Sequence, residues 1–104
     1  MKKFENKQTS ITTGIAGTQE TKEMTYAELA KMTLDIPPAN GWDKNEMKIR
    51  IKTESKIENL KVGETAELED AEMQKILDMS NQPWQFKHKD LLAYMEDLET
   101  WNKE

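Results

Sequence analysis

Histidine, the side chain with the broadest catalytic repertoire, occurs once in this chain, as His88 in "FKHKD". A nucleophilic mechanism needs a base held beside an activated Ser, Thr, Cys or Lys, and the spacing around His88 supplies no such partner. Carboxylates are more plentiful. "ELEDAE" gathers Glu67, Glu69, Asp70 and Glu72, with Glu64 just before them. Paired acids do general acid–base work when an apolar setting raises the pKa of one member. Here they bracket a turn and a helix start, where solvent and the helix dipole account for them. Their spacing also fits no EF-hand loop for a divalent cation. The glycines are Gly14, Gly17, Gly41 and Gly63, and the close pair in "GIAG" lacks the Lys-Ser/Thr that completes a phosphate loop. Cysteine is absent, which removes thiolate catalysis, disulfides and Cys-ligated zinc. We expect a chain that is not an enzyme and uses no cofactor and no metal.

Binding chemistry is better supplied. Net charge is −5, but it is unevenly spread. Residues 44–61 hold Lys44, Lys48, Arg50, Lys52, Lys56 and Lys61 against Glu46, Glu54 and Glu58, whereas residues 64–104 are strongly acidic. Lys48, Arg50, Lys52 and Lys56 form a candidate nucleic-acid-binding stretch, since lysine and arginine at such spacing neutralise phosphates. Small DNA-binding domains are mostly basic, however, and this chain is acidic, which makes that reading the alternative. The converse is an acidic surface of Glu64, Glu67, Glu69, Asp70 and Glu72 that engages a basic site on another protein. The plain competitor to both is two solvated faces that attract each other across the fold.

These residues must be positioned by local elements, and capping patterns locate several. "TYAE" fits a capping box, with Thr25 as N-cap and Glu28 at the third helical position. A first helix should therefore start at Thr25 and stop near Leu34, because Pro37 forbids continuation. In "PPANGWDKNEM" the Asn40-Gly41 pair permits a sharp turn. Asp43 can cap the next helix there, and Trp42 can staple against Met47. That second helix is expected over about 44–60, with Met47, Ile51 and Ile57 inward. "MKIRIKT" also alternates like a strand, so 47–53 stays open between the two. Gly63 suits a left-handed stop. A third helix follows a cap at Asp70, and Met73, Ile76 and Leu77 hold its spacing. The last, from about His88 to Trp101, repeats Leu91, Tyr94, Met95, Leu98 and Trp101 at three and four residues. Short strands near 65–68 and 84–86 are expected to pair beside the third helix.

The 104 residues allow one domain with a modest core, since only 36% are apolar and 34% are charged. Residues 1–23 offer Phe4, Ile11 and Ile15 among polar side chains, too little to offset their own ordering. We expect a flexible tail there, or an edge strand or arm around "SITTGIAGT" that orders against the domain or a partner, and a single small helical domain over 24–104. The fold class expected is mostly α, with α+β as the alternative: about four short helices around Leu29, Met47, Ile51, Leu68, Ile76, Leu77, Trp84, Leu91, Met95 and Leu98, with a minor pair of strands. Lys2 and Lys3 precede no apolar run, so no signal peptide is expected, and no window is apolar enough for a membrane span.

The order of blocks "MTYAELAKM", "PPANGW", "EMKIRI", "LEDAEMQKIL", an isolated Trp84 and "HKDLLAYMEDL" resembles small uncharacterised proteins of tailed phages and prophages, over roughly residues 24–99. The resemblance implies a phage setting and a beginning near Met24 in the relatives, and no catalytic residues. The expected function is a non-enzymatic, phage-type protein-binding module in the host cytoplasm, an inhibitor occupying a basic or nucleic-acid-binding surface of a host protein. A nucleic-acid-binding module and a self-assembling phage accessory or structural protein are the alternatives.

Overall fold

The computed structural model describes residues 1–15 and 17–104. In chain order the elements are β1 (Lys2–Glu5), β2 (Gln8–Gly14), β3 (Thr21–Thr25), α1 (Tyr26–Leu34), α2 (Lys44–Ile57), β4 (Thr65–Leu68), α3 (Asp70–Ser80) and α4 (Lys89–Lys103). This is an α+β fold, which corrects the expected mostly helical bundle. Its strands form two antiparallel pairs, β1 with β4 and β2 with β3.

The first 23 residues carry the main difference. They contain β1, β2 and the start of β3, and they place Phe4 and Ile11 in the core. β2 alternates as a half-buried strand should, with Thr9 and Ile11 inward and Gln8, Ser10 and Thr12 outward. Thr9 is buried at no polar cost because its hydroxyl donates to the Met24 carbonyl at 2.6 Å. Ala16, within the expected arm around "SITTGIAGT", lies outside the described residues. Buried Asn6 then locks three segments together. Its Nδ2 donates to the Leu60 carbonyl at 2.9 Å, its Oδ1 accepts from the Ala27 amide at 2.8 Å, and its own amide donates to the Glu64 carbonyl at 2.9 Å.

The expected strand at 65–68 exists as β4, but its partner is β1, with Phe4 opposite Ala66 and Lys3 opposite Glu67. Residues 84–86 form bends and no strand. There Trp84 packs edge-on to Phe86 and donates its indole N–H to the Ser80 carbonyl. That bond terminates α3 and leaves residues 84–86 folded against the helix end.

Helix starts follow the capping chemistry. Thr25 and Glu28 make the reciprocal capping box of α1, and the Asp43 carboxylate accepts from the Glu46 amide at 2.8 Å. Glu69, one residue before the expected Asp70, caps α3, and its amide donates to Glu72 at 2.7 Å. At α4 the cap is His88, whose Nδ1 accepts from the Asp90 amide at 3.0 Å. Gly41 and Gly63 take positive φ, at 83° and 91°, where a Cβ would strain the backbone. Gly63 turns the chain after α2 has already ended at Ile57.

α1, α3 and α4 bury Leu29, Leu34, Met73, Ile76, Tyr94 and Leu98 against Phe4 and Leu68. Met47 and Ile51, expected in this core, are 43% and 63% exposed. The inward face of α2 is Arg50, Thr53 and Ile57 instead, at i, i+3 and i+7.

Candidate functional site

The basic and acidic blocks meet across α2 and α3, where two ion pairs join them. Lys52 pairs with Glu69 at 2.9 Å and Lys56 with Glu72 at 2.6 Å. Glu72 is itself buried, with Oε1 taken by Lys56 and the Glu69 amide, and Oε2 without a hydrogen-bond partner. Glu64 accepts from the Lys61 amide at 2.7 Å in the turn before β4. Of the five acidic candidates, Glu67 and Asp70 are exposed and outside these contacts, and Glu67 stands across the ladder from Lys3. Glu72 is therefore buried in the fold, while Glu64, Glu67, Glu69 and Asp70 stay exposed, Glu69 beside Lys52 and Glu64 in its turn.

The candidate nucleic-acid stretch is dispersed in the same way. Arg50 is 4% exposed. Its Nη1 donates to the carbonyls of Leu34 at 3.1 Å and Ile36 at 2.6 Å, and its Nε donates to Glu46 at 2.9 Å. Arg50 therefore satisfies the C-terminal carbonyls of α1, which have no amide of their own to accept from. Lys48 is exposed, and Lys52 and Lys56 are paired. Of this stretch Lys48 and Lys52 reach solvent, Lys52 through its exposed pair with Glu69, and Arg50 does not.

The structure does bring a serine, a histidine and an aspartate together. Ser10 Oγ donates to Asp90 at 2.7 Å and lies 3.5 Å from His88 Nε2. In a nucleophilic triad the imidazole stands between the hydroxyl and the carboxylate. Here Nδ1 accepts the Asp90 amide, so in the neutral ring the proton sits on Nε2, the nitrogen nearer Ser10. That nitrogen cannot take the serine proton, and the carboxylate binds the serine directly. The cluster ties β2 to the first turn of α4. Hydrogen bonds from the Ser10 amide and hydroxyl hold Asp90 below the usual carboxylate range.

A different site emerges at the corner between α1 and α2. A groove of about 190 Å³ is walled by Trp42, Met47 and Ile51, over a floor of Leu34 and Arg50, with Asp35 and Glu54 also lining it. The turn that shapes it is closed by the Gly41 amide donating to the Pro38 carbonyl at 3.0 Å. Trp42 precedes the cap and lies over the Arg50 guanidinium, 4.8 Å from ring centroid to Cζ. With its guanidinium held by two carbonyls and a carboxylate, Arg50 fixes the indole while leaving it 40% exposed. The apolar side chains that α2 fails to bury are thus collected beside the tryptophan.

The electrostatics of this groove are unusual for so polar a surface. Partial burial and the neighbouring Asp35 carboxylate push Glu54 up to about 7. Lys31, 3.5 Å from Asp35, opposes that shift only in part. A further cation placed against Asp35 and Glu54 would lower Glu54 again. Sequence reading named Trp42, Met47 and Ile51 only as staple and core. Glu54 and Asp35 had no signal, because their proximity depends on the corner.

Among the described residues no helix is long and apolar enough to cross a membrane, and no cluster of His, Cys, Asp or Glu is arranged to hold a metal. No family model, curated protein or solved structure matches this chain.

Proposed function

We propose that this chain is a non-enzymatic protein-binding module that captures a basic, apolar segment of another protein in the groove at the α1–α2 corner. The observation that carries this reading is the groove itself: exposed Trp42, Met47 and Ile51 stand beside the paired carboxylates Asp35 and Glu54. Tryptophan in a partly open pocket is a frequent energetic anchor of protein interfaces. An arginine or lysine of the partner would relieve the repulsion between Asp35 and Glu54 while its neighbours cover the apolar walls. The resemblance to phage proteins suggests a host protein in the cytoplasm as the owner of that segment. Holding the segment withholds it from its normal partner, which amounts to inhibition. The acidic character expected of the contact surface is kept, but its residues move from the block at 64–72 to Asp35 and Glu54.

A display library of random peptides, selected against the full chain, tests this. We expect enriched sequences to combine Arg or Lys with Leu, Phe or Trp, and to lose binding to Ile51→Glu. Enrichment of acidic peptides, no enrichment, or unchanged binding to Ile51→Glu would each overturn it.

A further inference from the structure

α4 carries a second surface, independent of the corner groove. Its inward face is Leu91, Tyr94 and Leu98. The opposite stripe, at helical spacing, is Lys89, Leu92, Glu96, Glu99 and Lys103, all exposed, with Leu92 57% open to solvent. Beside Leu92 lies an open groove of about 460 Å³ whose walls include Trp84, Phe86 and Met95 and whose rim carries Lys87 and Lys89. Phe86 is 43% exposed there.

Along this stripe Lys89 precedes Leu92, Glu96 and Glu99 follow it, and Lys103 closes the helix end. Among the described residues Lys87, Lys89, Glu96 and Glu99 make no ion pair within the chain.

We propose that this face is a self-association surface, on which a second copy of the chain packs its α4 antiparallel to the first about a two-fold axis at Leu92. In an antiparallel pair, a residue a given number of positions before the axis lies opposite one the same number after it. Lys89, three before Leu92, falls opposite Met95 of the second copy and beside its Glu96. The same contact recurs on the other side of the axis, as an isologous interface requires. Leu92 meets its own counterpart at the centre, and each Phe86 covers the apolar groove at one end. Antiparallel alignment also sets the helix dipoles favourably.

The face is small, so dissociation is expected in the micromolar range or weaker. Sedimentation velocity across roughly 1 µM to 1 mM should show the wild-type mass rising from that of one chain toward that of two. Lys89→Glu places like charges against Glu96 at both symmetric contacts, and Glu96→Lys does the same against Lys89. Each should weaken association by roughly ten- to thirty-fold. Both substitutions are on the surface, and far-UV circular dichroism should match the wild type. Mixed together, the two variants regain opposite charges at both contacts, and the mixture should recover the doubled mass. A wild-type chain that stays single throughout this range overturns the proposal. So do single variants that associate like the wild type, or a mixture that fails to associate. None of these results depends on the corner groove, whose own test uses Ile51→Glu.

Discussion

Replacing Arg50 with methionine keeps the length and most of the apolar stem of the side chain while removing every hydrogen bond it donates. The buried Leu34 carbonyl loses its donor, at about 1–3 kcal/mol for an unsatisfied buried group. Ile36 is 44% exposed, so its carbonyl can turn to water and lose little. Glu46 keeps Lys75 at 2.9 Å but loses its second cation, about 1 kcal/mol more. The stacking under Trp42 accounts for roughly another 0.5–1 kcal/mol. Together these give a destabilisation of about 3–5 kcal/mol, in line with breaking a buried ion pair by removing one partner. For a chain of this size that lowers the melting temperature by roughly 15–30 °C. Urea unfolding followed by far-UV circular dichroism measures it, with Lys48→Met as the surface control, expected within about 0.5 kcal/mol of wild type. If Arg50→Met unfolded within that same margin, Arg50 would not be the residue that closes the α1–α2 corner. The reasoning about the groove would then lose its rigid floor.

Four further outcomes follow from other contacts. Glu72→Ala removes the partner of Lys56 and the acceptor of the Glu69 amide, and should cost about 2–4 kcal/mol. Glu67→Ala, on the exposed side of β4, should change stability by no more than about 0.5 kcal/mol in the same urea titration. A chain beginning at Met24 lacks β1, β2 and the buried Phe4 and Ile11, so it should melt without a cooperative transition by circular dichroism; a sharp melt would show that residues 1–23 are dispensable. Glu54 binds its proton more tightly in the folded chain, up to about 7 against an ordinary 4.5, so its ionisation subtracts stability as pH rises through that window. The full shift corresponds to at most about 3 kcal/mol, and partial exposure reduces this to about 1–2. Glu54→Gln should therefore be more stable than wild type at pH 8 and nearly equal to it at pH 4.5, in thermal melts at both pH values.

How much of this was legible in the sequence varies with the kind of residue that carries each feature. Caps were legible because their chemistry is local: Thr25 with Glu28 and Asp43 with the Glu46 amide stand where the pattern puts them. The α4 stripe was legible because Leu91, Tyr94 and Leu98 repeat at helical spacing. β2 was legible only as the alternative edge strand, because its inward face uses Thr9 and Ile11, and a threonine buried through its hydroxyl does not register as apolar. The alternation is present but polar. Asn6 gave no signal at all, since its partners lie at Ala27, Leu60, Gly63 and Glu64. α2 misled for the opposite reason. Its inward position is an arginine, and its aliphatic side chains Met47 and Ile51 face out, so an apolar count assigns the helix the wrong face. The charge blocks were read correctly as composition and ambiguously as function. Lys52 with Glu69 and Lys56 with Glu72 show attraction across the fold, a pairing that only the packing of α2 beside α3 defines.

Amide chemical-shift mapping of the full chain, titrated with a basic apolar peptide enriched by display, bears most directly on the proposed capture. The account predicts that the largest shifts fall on Asp35, Trp42, Met47, Ile51 and Glu54, and that they disappear in Ile51→Glu. Shifts centred instead on Glu67 and Asp70, or on α4, would contradict it.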